Sequence, residues 1–239
     1  MTINDVAVVV VVTLAGFIRG ITGFGGAMLM APSLSLIIGA VPTVVIALLL
    51  ETAAALVMFS DALPRINKRV LFYLTLPACF TIPIGGYLLL TLDPLVARKL
   101  ISAVVAVFSL ILLLGLRYSG PHRPTTSLVL GSVVGVMLGA TSVGAPPVIL
   151  YLLSGPDPQA VTRANLTVFV TVISAVGLVM LLFAGAFTTG LMISASLLCI
   201  PYLAATWLGG ALFARMSEIG VRRFALGFMF TMGVVGLLA

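Results

Sequence analysis

Two ionisable residues stand deep in apolar sequence, Arg19 within GFIRGITGFGG and Glu51 within LLLETAAAL. Burying a charge at membrane depth is costly, so each marks either a functional site or a structural pair. The planar fork of a guanidinium suits an oxyanion. Arg19 therefore reads as a ligand for a small anion, with snorkelling to an interface or pairing with Glu51 as the structural alternatives. Glu51 reads either as a proton carrier or as the counter-ion of Arg19. Around Arg19 lies a glycine-rich break, with Gly20, Thr22, Gly23, Gly25 and Gly26; a second break holds Thr141, Ser142 and Gly144 ahead of Pro146 and Pro147. Glycine permits unusual backbone angles, and Pro146-Pro147 suits a fresh helix start near Ala145 to Val148. Helix starts present free N–H groups and a positive dipole end, which favour an anion. Thr22, Thr141 and Ser142 are candidate hydroxyl donors to it. Arg163 and Asn165, in PQAVTRANLTVF, follow the second break and face the same cavity, or else anchor an interface.

These residues must be held by membrane helices. The 239-residue chain is 62% hydrophobic and 8% charged, with a mean hydropathy of +1.32. Soluble packing cannot cover that much apolar surface. A span needs about 20 apolar residues, so the length allows roughly seven to ten spans or part-spans and no separate catalytic domain. The apolar runs are continuous rather than alternating, which points to helices and not a barrel. Apolar stretches lie at 5–39 (broken at Gly20 to Gly26), 42–60, 70–91 and 99–117, then at 127–155 (broken at Thr141 to Pro147), 164–184, 190–214 and 223–239. The N-terminal MTINDVAVVV lacks a basic region and cleavage site, so the first segment is expected to stay in the mature chain.

The chain reads as a duplication. A shift of 119 residues sets Gly16, Gly20, Thr22 and Gly25 on Gly135, Gly139, Thr141 and Gly144. A shift of 124 sets Pro77 on Pro201, Gly85-Gly86 on Gly209-Gly210 and Arg98-Lys99 on Arg222-Arg223. Two membrane repeats follow, 1–118 and 119–239, in one integral membrane domain. If each broken segment enters the bilayer and turns back, the connectors near 65, 120, 157 and 219 share one face and carry 9 basic residues, against 2 on the other face. If each crosses once, the basic residues divide almost evenly. The positive-inside rule selects the re-entrant arrangement. The expected fold is all-α: a polytopic helical membrane protein of two inverted repeats, each with an interrupted or re-entrant first segment, and with both termini on the non-cytoplasmic side. Duplicated membrane proteins commonly place a substrate site between the repeats.

Other residues point to packing. GxxxG spacing at Gly16/Gly20 and Gly131/Gly135/Gly139 lets helix backbones touch without any ligand. Cys79 and Cys199 read as small hydrophobes, His122 as a solvated linker residue, and Trp207, Tyr151 and Tyr202 as lipid-belt or packing residues. No HExxH, GxSxG, Walker or CxxC motif appears. Enzyme, nucleotide-driven pump and metal roles lack their residues, and no cofactor is expected. The net charge of +6 sits in connectors and speaks to orientation, not nucleic acid.

GFIRGITGFGGAMLMAPSL, its echo GVMLGATSVGAPPVILYLL and the following QAVTRANLTVF resemble the TauE/SafE family of membrane transporters. The resemblance covers essentially the whole chain. It implies a carrier of sulfite, sulfoacetate or a related sulfonate in the bacterial inner membrane, working as an exporter or as an uptake permease. Export is the direction expected, coupled to an ion gradient because nucleotide-binding residues are absent, with alternating access by rocking of the repeats. The partners expected are the small anion, membrane lipid and a second copy of the chain in a homodimer. A passive anion channel and a non-transporting subunit of a larger complex are the alternatives.

Overall fold

The computed structural model describes residues 3–116, 118–120, 123–213 and 218–239. Arg117, His122 and Arg215 lie outside the described residues. The rest is α-helical, without a strand among the described residues: α1 (Ile3–Thr22), α2 (Gly26–Ile38), α3 (Ala40–Ala62), α4 (Lys68–Thr91), α5 (Pro94–Leu113), α6 (Pro124–Thr141), α7 (Ala145–Leu153), α8 (Gln159–Phe183), α9 (Thr189–Phe213) and α10 (Glu218–Leu238). Seven of them are long and apolar enough to cross a membrane. With α2 at 13 residues and α7 at 9, the second arm of each broken segment is shorter than a span. Large apolar side chains such as Phe80, Phe183, Ile200 and Phe224 are exposed on the outer faces, as lipid contact requires.

Local chemistry sets the boundaries. The α5 start lies at Pro94, five residues before the expected 99, because Pro94 takes the first helical position and the Asp93 side chain caps Leu95 N–H at 2.8 Å. Asn67 caps α4 in the same way through Val70 N–H, at 3.3 Å. Between α2 and α3 the chain reverses at Gly39, whose φ of 85° favours glycine.

The packing is preserved when α1–α5 are exchanged for α6–α10. α1 lies on α9 and α4 on α6; α3 pairs with α8 and α5 with α10. Glycines bring the crossing backbones together. A methyl group on Gly20 would collide with the carbonyl of Thr206 and the amide of Gly210; one on Gly139 would collide with the carbonyl of Ile82 and the amide of Gly86. These two sets are related by the same shifts, 119 for the glycine and 124 for the residues it meets. The GxxxG glycines thus pack helices, and they pack them equivalently in both halves. Along the α5/α10 crossing, Gly233 meets Ala106 and Gly236 meets Ser102, so these two helices run antiparallel. α3 is the most enclosed span, with 56% of its apolar window buried against 22% for α9. It carries Glu51, which is buried.

Candidate functional site

The two helix breaks are built alike. Thr22 sets its hydroxyl 2.8 Å from the carbonyl of Ile18 and faces the Phe24 N–H at 3.4 Å. Thr141 donates to the carbonyl of Met137 at 2.7 Å and accepts from Val143 N–H at 3.2 Å. Both hydroxyl protons are therefore spent on closing a turn, a local use typical of Ser and Thr at helix ends. The next residue is left-handed in each break: Gly23 at φ 77° and Ser142 at φ 61°. In the second break this is a non-glycine position, which costs about 1–2 kcal/mol. The new helices start at Gly26 and, as the proline pair indicates, at Ala145.

At the first break the charges find each other. Arg19, in the last turn of α1, forms a partly buried ion pair with Glu51 of α3. The second carboxylate oxygen of Glu51, Oε1, accepts the N–H of Ala27 at 2.9 Å and the hydroxyl of Tyr202 at 2.9 Å. The cation thus sits at a helix C-terminus and the anion at a helix N-terminus, each where the helix dipole favours it. Of the sequence alternatives for Arg19 and Glu51, the geometry realises the pair. Gly26 leaves the space for this arrangement, since a methyl there would overlap Tyr202 Oη and Glu51 Oε1. The set has no copy in the other half: Leu138 stands at the place of Arg19, Ala78 at that of Tyr202 and Ala145 at that of Gly26.

Between the two breaks lies a cavity of about 660 Å³, walled by α1, α2, α3, α6, α7, α8 and α9. Of the residues singled out in the sequence, Arg19, Gly20, Thr22, Gly23 and Gly25 line it from the first break and Ser142 and Gly144 from the second, with Glu51 and Arg163 from the long helices. Gly26, Thr141 and Asn165 do not. Gly26 is covered by Tyr202 and Glu51, and Thr141 is turned into its own helix. Asn165 faces the connector before α4, where its Oδ1 accepts Asn67 N–H at 2.8 Å while Asn67 Nδ2 reaches the Asp157 carboxylate at 3.1 Å. It serves as a tie between the halves and leaves its own Nδ2 buried without a partner among the described residues.

Arg163 differs from Arg19 in kind. It is exposed, lines the cavity, and has no ion pair among the described residues. Since Arg19 is neutralised by Glu51, the excess positive charge of the cavity comes from Arg163. Sequence reasoning missed four contributors. Thr167 and Ser174 lie 4 and 11 residues beyond Arg163, on the same face of α8, a helical spacing that was legible. Trp207, read as a belt or packing residue, lines the cavity. Tyr202 is fully buried and serves Glu51; its role depends on the α1/α9 crossing and had no local signal.

The family model described as Sulfite exporter TauE/SafE matches residues 8–236. No curated protein and no solved structure matches the chain.

Proposed function

The chain belongs to the TauE/SafE family of sulfite exporters, and on that premise we propose that it is a secondary transporter that carries a small sulfur-containing anion across the bacterial inner membrane. The observation that carries this reading is the cavity between two equivalent helix breaks with Arg163 as its cation without an ion pair among the described residues. Irregular backbone at membrane depth is tolerated where it lines a cavity. An unpaired guanidinium at its wall draws an anion in; Ser174 and Thr167 line the cavity on the same helix face, the Thr167 hydroxyl proton being held by the carbonyl of Arg163 at 3.0 Å.

The halves 1–118 and 119–239 act in this reading as inverted repeats that rock about the cavity, giving each side access in turn. Three observations support it. The helix packing survives exchange of the halves. The equivalent helices α5 and α10 run antiparallel. Asn67 and Asp157 join the connectors before α4 and α8, which puts these two basic-face connectors side by side. Glu51 is the residue that couples anion movement to a proton in this reading, and net export follows when the anion accumulates inside far enough to outweigh the inward proton gradient.

The test is flux into proteoliposomes containing the purified chain. Saturable uptake of labelled sulfite, accelerated by unlabelled sulfite on the opposite side and weakened in Arg163→Gln, is the expected result. Non-saturating conductance without counterflow would replace the carrier with a channel.

A further inference from the structure

The Arg19–Glu51 pair lies at the cavity wall and not in a sealed core. Arg19, Ala27 and Glu51 all line the space that the transported anion would enter. The partners of the Glu51 carboxylate are those an oxyanion would seek: a guanidinium, the N–H of Ala27 at 2.9 Å in the first turn of α2, and the Tyr202 hydroxyl at 2.9 Å. Glu51 belongs to α3, while all three donors belong to other helices. The donors thus form a ready oxyanion site, and a carboxylate of the protein itself fills it.

We propose that Glu51 is a tethered stand-in for the transported anion, and that the anion displaces it from Arg19, Ala27 N–H and Tyr202 as Glu51 takes up one proton. This rests on the anion-carrier reading and deepens it. The charges balance: an ionised Glu51 leaves as a neutral carboxyl group, the incoming monoanion replaces its charge beside Arg19, and no bond other than the carboxyl O–H forms. One proton therefore travels with each monoanion in the same direction. The titratable and charged groups that bear on Glu51 are few. Arg19 faces it from α1 and Tyr202 from α9, α2 offers backbone N–H alone, and among the described residues Arg163 of α8 is the one further charged side chain lining the cavity. Arg163 collects the anion, and the Arg19 site receives it.

The site is measured by titrating the full-length purified protein with methanesulfonate, a monoanion that does not itself titrate near neutrality. Calorimetry at one pH in phosphate and in Tris, whose ionisation heats differ, counts the protons taken up. Wild type is expected to take up about one proton per anion, by linkage. Glu51→Gln is expected to take up none and to bind about tenfold more tightly, because its site no longer has to be vacated. Tyr202→Phe, which leaves all charges in place and takes the same donor from Glu51 and from the anion, is expected to keep the count at about one proton per anion. Wild-type binding without proton uptake overturns the proposal and leaves the anion carrier standing. So does Glu51→Gln binding no tighter than wild type, or, if that variant does not fold, anion binding by Tyr202→Phe without proton uptake. Absence of binding by wild type and both variants, with the proteins folded, overturns the carrier reading as well.

Discussion

Gly26→Ala isolates the Glu51 arrangement without changing a charge. The added methyl would occupy the space of Tyr202 Oη and Glu51 Oε1, so the bonds from Tyr202 and from Ala27 N–H, both 2.9 Å, cannot keep their geometry together. A hydrogen bond to a charged group contributes about 1.5–3 kcal/mol, so losing one and weakening the other costs about 3 kcal/mol. Replacing glycine by alanine in a helix returns up to about 1 kcal/mol. The expected net loss is about 2 kcal/mol, the difference of these two terms. Gly227→Ala in α10 is the control, because nothing lies within 4 Å of a methyl at that position. It keeps the propensity gain alone, so the two variants should differ by about 3 kcal/mol. Unfolding in mixed micelles, followed by far-ultraviolet circular dichroism, measures both. Equal stability of Gly26→Ala and Gly227→Ala would refute the reasoning, since it would mean that the Tyr202–Glu51–Ala27 contacts contribute nothing.

Arg163→Gln should leave stability unchanged, since the guanidinium has no ion pair among the described residues, while weakening sulfite binding by about ten- to a hundredfold, the worth of one charge-assisted hydrogen bond; fluorescence of Trp207, the single tryptophan and a cavity-wall residue, reports the affinity. Gly20→Ala and Gly139→Ala should each destabilise by about 1–3 kcal/mol through backbone collision, and the two losses should be similar because the contacts are equivalent; the same unfolding assay reads them. With Cys79 and Cys199 replaced by serine, single cysteines at 66 and 155 should react with an impermeant thiol reagent from the same side of oriented vesicles, and one at 187 from the opposite side. Labelling of 66 and 155 from opposite sides would end the inverted-repeat arrangement.

Much of the fold was legible because membrane helices advertise themselves through length and hydropathy, and both breaks through glycine, threonine and proline. The repeat was legible for a physical reason: residues that touch another backbone tolerate little change, so the glycines of the α1/α9 and α4/α6 crossings survive in both halves. Those same glycines were read as possible ligand-site residues and packing residues at once, and local sequence cannot separate the two uses. The third dimension separates them: Gly20 and Gly139 are pressed against helices, whereas Gly23 borders the cavity with open space beside it. The partner of Arg19 lies 32 residues away in another helix, and Tyr202 a further 151 residues from Glu51, distances at which no spacing rule operates.

The charged groups follow a different logic from the glycines. Two equivalent breaks facing each other would, if fully duplicated, bring two arginines, two carboxylates and two tyrosines to one small space. A single anion near a pseudo-two-fold axis needs one set of donors, and a second set would hold a second anion or leave unpaired charge in a low dielectric, where isolated ions are costly. The chain keeps the symmetric backbone and places apolar Leu138, Ala78 and Ala145 where Arg19, Tyr202 and Gly26 stand in the first half. In the proposed carrier the repeat supplies the movable frame, and its departure from symmetry supplies the site. That is why the polar set had to be read from Arg19 and Glu51, charged residues within apolar segments that break the pattern, and not from the residues that repeat it.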